Sequence, residues 1–161
     1  DDSKAYMNDG GAKGKDLAAK YVAAVEKFDA AYAKFNETLN KVNAEQSKKQ
    51  IEKLKKDGKK GYAAAMESTL RLTELVDKLE KAPQNADKAA VEKELSEIEA
   101  LLKSINNDRG QVLADRYNSV VGDVRQVLAD PSDNNLNNMI EGFNGYIDTY
   151  NSTTPDQFDA K

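Results

Sequence analysis

Leu17, Tyr21, Val25, Phe28, Tyr32, Phe35, Leu39 and Val42 follow one another at steps of 4, 4, 3, 4, 3, 4 and 3. Residues three and four apart share one side of an α-helix, so these eight form a single apolar stripe. Ile51 and Leu54 take up the apolar positions again after the polar interval Asn43 to Gln50, which predicts either a kink or a stripe that drifts around the helix. The helix is expected from about Lys15 to Asp57, with Asp16 as its N-cap and Gly58 as a left-handed stop. At 1.5 Å per residue it is a rod of roughly 65 Å. Such a stripe demands partners with stripes of their own.

The rest of the chain supplies them. Gly58 to Gly61 forms a short reversal, and a second helix over Tyr62 to about Lys81 carries Tyr62, Met66, Leu70, Leu72, Leu75, Val76 and Leu79, a face broad enough for two neighbours. Pro83 breaks the chain. A third helix from Lys88 to Ile105 has Val91, Leu95, Ile98, Leu102 and Ile105 at steps of 4, 3, 4 and 3. Asn106 to Gln111 either ends it, with Asp108 and Gln111 spaced as a capping box, or lies inside one continuous helix that reaches Leu113; the pattern leaves both open. The next stripe, Leu113, Tyr117, Val120, Val121, Val124, Val127 and Leu128, stops at Asp130-Pro131. A last helix starts near Ser132 or Asp133 and carries Leu136, Met139, Ile140, Phe143, Tyr146, Ile147 and Tyr150. Gly142 and Gly145 within it each cost about 1 kcal/mol relative to Ala, which predicts close approach of another backbone.

Residues 1–14 have no period and contain three glycines, so a flexible leader is expected there, with a single helical domain over 15–150 and a frayed tail over 151–161. The fold class is all-α: an elongated antiparallel helical bundle of three to five helices, with the first helix as spine and crossing angles near 20° from the 4 and 3 steps.

Composition then removes chemistry. The 161 residues include no Cys and no His, which excludes disulfides, thiolate metal sites, imidazole bases and nearly all zinc or di-iron ligand sets. Gly10 to Lys15 fails as a phosphate loop, because Asp9 and Asp16 stand where Gly and Ser or Thr are needed. The carboxylates Glu92, Glu94, Glu97 and Glu99 read as a solvated face shared with Lys88, Lys93 and Lys103. No catalytic, cofactor-binding or metal-binding residue is therefore expected, and the protein reads as non-enzymatic. A net charge of -4 argues against a nucleic-acid partner. No apolar run approaches the roughly 18 residues of a bilayer span. The chain does not begin with Met and reads as a processed or trimmed product.

Two groups of residues remain as candidate binding positions. Lys48, Lys49, Lys53, Lys55, Lys56, Lys59 and Lys60 form the densest charge in the chain and offer a contact for an anionic membrane or wall surface; against this stands a solvated helix end whose lysines complement the dipole. Phe28, Tyr32, Phe143 and Tyr146 are candidates for lining a ligand groove, against the alternative of a core seam.

The runs Ala12 to Leu17 (AKGKDL), Lys20 to Ala24 (KYVAA), Phe28 to Tyr32 (FDAAY) and Leu39 to Asn43 (LNKVN) resemble the YiiG-like family of uncharacterised bacterial lipoproteins. Gly142 to Asn151 (GFNGYIDTYN) is similar to that family's terminal Tyr-Asn helix. The resemblance implies export, a lipidated Cys at the mature N-terminus, an all-helical fold and no known activity. The chain departs from it in having no Cys. The expected role is a non-enzymatic extracytoplasmic protein of a bacterial envelope, a lipoprotein ectodomain without its anchor or a periplasmic protein. It would bind or scaffold a protein or envelope component and meet a membrane only peripherally, through the anchor. The alternative is a carrier of a small apolar ligand or lipid in an inter-helical cavity. An apolar pocket of a few hundred Å³ favours the carrier; a close-packed core beside an exposed apolar strip favours the scaffold.

Overall fold

The computed structural model describes residues 12–160, with side chains from residue 14 onward. It is all-α: α1 (Ala12–Lys56), α2 (Lys60–Lys81), a 3-10 turn (Pro83–Asn85), α3 (Lys88–Lys103), α4 (Asp108–Ala129), α5 (Asp133–Asn151) and the short α6 (Pro155–Phe158), with no strand among the described residues. The leader expected over 1–14 lies outside the described residues up to residue 11, and Ala12 to Gly14 already belong to α1. Asp16 is accordingly inside the helix, where it pairs with Lys20 at 2.7 Å instead of capping it.

The chain divides into two units, Asp1–Glu45 and Gln46–Lys161. A single domain over 15–150 was expected, and the boundary falls inside the polar interval that interrupts the stripe. At the 4 and 3 steps that would extend the stripe beyond Val42 stand Gln46 and Lys49, and Ile51 and Leu54 are out of register with it.

In the second unit α2, α3, α4 and α5 pack in a closed ring, each against the next and α5 back against α2. Arg71 of α2 meets Glu94 of α3, the Tyr117 hydroxyl of α4 donates to the Leu95 carbonyl of α3 at 2.5 Å, and Tyr146 of α5 meets Ser68 of α2 at 3.0 Å. Glu92 meets Arg125 while Leu95 meets Tyr117, and Tyr62 meets Tyr150 while Ser68 meets Tyr146, so α3 with α4 and α2 with α5 run antiparallel, as short connections favour. Leu72, Leu79, Ile98, Leu102, Leu113, Val120, Val124 and Met139 fill the interior with almost no solvent exposure. Ala63, Ala65 and Ser68 are buried on α2, where small side chains admit α5 and its large Tyr146. The final turns of α1 join this unit through buried Ile51 and through Lys55, which lies 2.7 Å from Glu67.

Among the described residues, the buried hydrophobic ones are Ile51 and residues from Ala63 onward. Within the second unit Tyr62, Val121, Leu128, Leu136, Phe143, Ile147 and Tyr150 are partly buried against the core. The eight stripe residues of α1 are all exposed, from 39 % at Val25 to 72 % at Tyr21.

Helix ends explain the connections. Gly58 takes φ +80° as the sequence predicts, and the Lys59 N–H reaches back to the Leu54 carbonyl at 2.9 Å, closing α1 with the six-to-one bond that a left-handed residue permits. The chain does break after α3. Asn107, not Asp108, caps α4: its side-chain oxygen accepts from the Gly110 N–H at 2.9 Å. Glycine is required at 110 because a Cβ there would lie 2.3 Å from the Ile105 carbonyl oxygen.

The segment read as a frayed tail is docked. Thr154 and Gln157 form a reciprocal capping box at the start of α6, and Phe158 is 2 % exposed, its ring 6.1 Å from those of both Tyr62 and Tyr150. The Asn107 amide donates to the carbonyls of Gln157, Phe158 and Ala160 at 3.2, 2.9 and 3.1 Å. Asp159 accepts from the Gly61 N–H at 2.7 Å, and Lys59 pairs with Asp156 at 3.0 Å. The close backbone approach expected at Gly142 and Gly145 occurs elsewhere. Gly142 makes room for the Asp123 carboxylate, Gly145 has open space, and the tight backbone contact is at Gly61, where a Cβ would lie 2.0 Å from the Phe158 carbonyl oxygen.

Candidate binding surfaces

The described residues of the first unit form one helix, and a helix has nothing within itself to cover a stripe along its whole length. From Tyr21 to Val42 the stripe steps alternate 4 and 3, a mean of about 3.5 residues, the repeat of coiled-coil seams. Phe28 and Tyr32 stack along it with ring centres 6.1 Å apart. Beside the seam stand Ala24, Ala31 and Thr38 on one side and Val22, Asp29, Asn36 and Asn43 on the other. A second regularity escaped the apolar reading: Lys20, Lys27, Lys34 and Lys41 recur at every seventh residue, off the stripe. Lys20 and Lys41 pair with Asp16 and Glu37, four residues back on the same helix, the favourable orientation for helical ion pairs.

The seven candidate lysines at the end of α1 and the start of α2 are all exposed, but they separate into two groups. Lys48 lies 4.0 Å from Glu74, Lys55 pairs with Glu67 and Lys59 with Asp156. Hydrogen bonding to Glu67 raises the Lys55 ammonium above its ordinary range, and Asp156 does the same for Lys59. These three hold α1 and α6 to α2. Lys49, Lys53, Lys56 and Lys60 make no ion pair among the described residues.

The four candidate aromatics divide between the two units. Phe28 and Tyr32 belong to the first unit; Phe143 and Tyr146 belong to the second, where Phe143 is half-buried against the core and Tyr146 is wholly buried. Ser68 and Thr69 both donate to the Ala65 carbonyl at 2.8 Å, which leaves the single proton of the Tyr146 hydroxyl to be given to or shared between their oxygens, at 3.0 and 3.2 Å. Burial pushes its ionisation up. Tyr146 is thus a core residue with a satisfied hydroxyl, and it lines no groove.

A groove of about 610 Å³ does lie between α2 and α3, with Leu75, Leu79 and Val91 in its floor and Lys78, Asp87 and Arg71 at its rim. Arg71 there grips Glu94 with two bonds, at 2.7 and 2.9 Å, and also bonds Glu97. Arg125 of α4 grips Glu92 likewise, at 2.9 and 2.8 Å. The acidic face of α3 is therefore partly spent on planar two-point bridges to both neighbours, which residues 23 and 33 positions apart do not announce in sequence. Only Lys93 and Lys103 make the helical pairs expected there, with Glu97 and Glu99.

The Arg71 guanidinium holds the Glu94 carboxyl below the ordinary value of 4.5. The folded state thus favours the ionised form, and the bridge's contribution is present above that pH and lost as pH falls through the lowered value. Urea midpoints at pH 7 and pH 3 are expected to fall further for the native chain than for Glu94→Gln. An equal fall in both would remove Glu94 from the acid response.

Among the described residues, no group of three or more His, Cys, Asp or Glu is placed to hold a metal ion, and no helix is long and apolar enough to cross a membrane. A family model described as a protein of unknown function, DUF3829, matches residues 2–118, which takes in α1, α2, α3 and the first half of α4. No curated protein and no solved structure matches the chain.

Proposed function

For this chain, which belongs to the DUF3829 family of proteins of unknown function, we propose a non-enzymatic binding or scaffolding role in a bacterial envelope, exercised through the apolar stripe of α1. The observation that carries the reading is the exposure of that stripe: Tyr21, Phe28, Tyr32 and Phe35 are each more than half exposed. Contiguous apolar surface of this kind is characteristic of interaction sites. The second unit supports the same reading, because its large apolar side chains are buried or partly buried against its own core. Placement outside the cytoplasm follows the resemblance to bacterial lipoproteins.

A photo-crosslinking amino acid placed at Phe28 or Phe35 in the producing cell is expected to give discrete adducts, whereas the same group at Val112, an exposed apolar position on α4, gives none. No adducts at the stripe, or equal adducts at Val112, would overturn the docking role. Recovery of the protein in the cytoplasmic fraction would overturn the envelope placement.

A second reading, carriage of a small apolar ligand, has the groove between α2 and α3 in its favour. Its site is then that groove rather than the four aromatics, and saturable binding of a fluorescent fatty acid is the measurement that decides it.

A further inference from the structure

We infer that the partner of the α1 stripe is a second copy of this chain, paired stripe to stripe over residues 17–42. The inference rests on the reading of α1 as a docking surface and adds the identity of what docks.

The first argument is register. Two helices stay in contact over several turns when apolar residues repeat every 3.5 positions, and Tyr21 to Val42 keep that repeat for three heptads. Lysines at 20, 27, 34 and 41 repeat the same period in charge, so one charged column of the helix keeps the register of the apolar seam. The polar residues Gln46 and Lys49 end the seam at the unit boundary.

The second argument is charge. Coiled-coil partners are chosen by the residues flanking the seam. Here the flanks are Ala, Thr, Val and Asn, with Asp29 the one charge between Val22 and Asn43. Such flanks offer a charged partner nothing complementary, and they set almost no like-charge repulsion against an identical helix. Lys20 and Lys41 are engaged along their own helix and leave the seam clear.

The third argument is area. The four aromatics are each more than half exposed, and a fully buried aromatic removes roughly 150–250 Å² from water. With Leu17, Val25, Leu39 and Val42 the stripe approaches the roughly 800 Å² per partner of a standard interface. A two-fold axis lets the same patch serve both copies.

Sedimentation equilibrium of the full chain is expected to give twice the chain mass of 17.7 kDa at micromolar concentration. The double variant Phe28→Glu, Phe35→Glu removes two central anchors, and its self-affinity is expected to fall on the order of a thousandfold. The bundle supplies an internal check, because neither residue belongs to its core: the variant should keep the cooperative thermal transition of the second unit. It should lose helical signal from α1, since a lone helix is marginal in water, and the native chain's helicity should rise with concentration. A native chain of single mass at 100 µM, or a dimer that survives both substitutions, would overturn self-pairing. A single-mass chain that still gives adducts from Phe28 to a different protein in cells would leave the docking role standing with another occupant.

Discussion

Gly61→Ala is expected to lower the stability of the second unit by about 2–4 kcal/mol, the sum of a lost aromatic burial and broken caps. The added Cβ would sit 2.0 Å from the Phe158 carbonyl oxygen and 3.1 Å from the Asp159 carboxylate. The first of these is backbone and cannot swing aside as a side chain can. Either α6 lifts away, exposing Phe158 and separating it from Tyr62 and Tyr150, or the start of α2 shifts and gives up its bonds to Asp159. Gly145→Ala is the matched control: it lies in a helix, and its Cβ would meet nothing within 4 Å. Replacing that glycine should stabilise by about 0.5–1 kcal/mol through helix propensity alone. Urea denaturation of the two variants reads opposite signs. A neutral Gly61→Ala would show that α6 does not rest on α2 in solution.

Tyr146→Ala is expected to cost about 3–5 kcal/mol, as the removal of a large aromatic from a close-packed interior does. The residue is fully buried between α5 and α2, and Ser68, placed against it, is buried as well. Tyr146→Phe should cost only about 1 kcal/mol, because Ser68 and Thr69 keep the Ala65 carbonyl as acceptor and only the hydroxyl's own bond is lost. The ratio of the two effects, read from denaturant midpoints at constant slope, tests the core assignment. A residue lining an open groove would tolerate both changes.

The helices were legible because apolar spacing survives in one dimension: the stripe on α3 is its buried set residue for residue, that on α4 nearly so, while on α2 and α5 only part of each predicted face is buried, and Gly58 and Pro83 mark turns by their own backbone limits. Periodicity states which residues share a face and is silent on whether that face is covered. This is why Phe28 and Tyr146, alike in pattern, differ completely in exposure. The C-terminal segment misled for a related reason. Phe158 is a single apolar residue in a polar stretch, and its burial depends on two tyrosine rings from other helices and on Asn107. Asn107 itself does two jobs, capping α4 and holding residues 157–160, whereas the spacing in sequence points to Asp108 and Gln111 as the capping pair. Among the candidate lysines, sequence counted charge but had no view of Glu67, Glu74 and Asp156, which neutralise three of the seven.

The α6 clasp bears on how this chain is made. Lys59 meets Asp156 across 97 residues, and Gly61 meets Asp159 across 98. Contacts of such separation form late, after the loop between them has been closed. On a ribosome, α2 emerges with its apolar face bare and keeps it incompletely covered until α5 is synthesised, and Tyr62, stacked on Tyr150 by then, lacks its second ring partner until residues 155–160 follow. The unit therefore passes through synthesis as a sticky, three-helix intermediate, and truncation anywhere before Phe158 should yield a chain that depends on chaperones rather than one that merely lacks a tail.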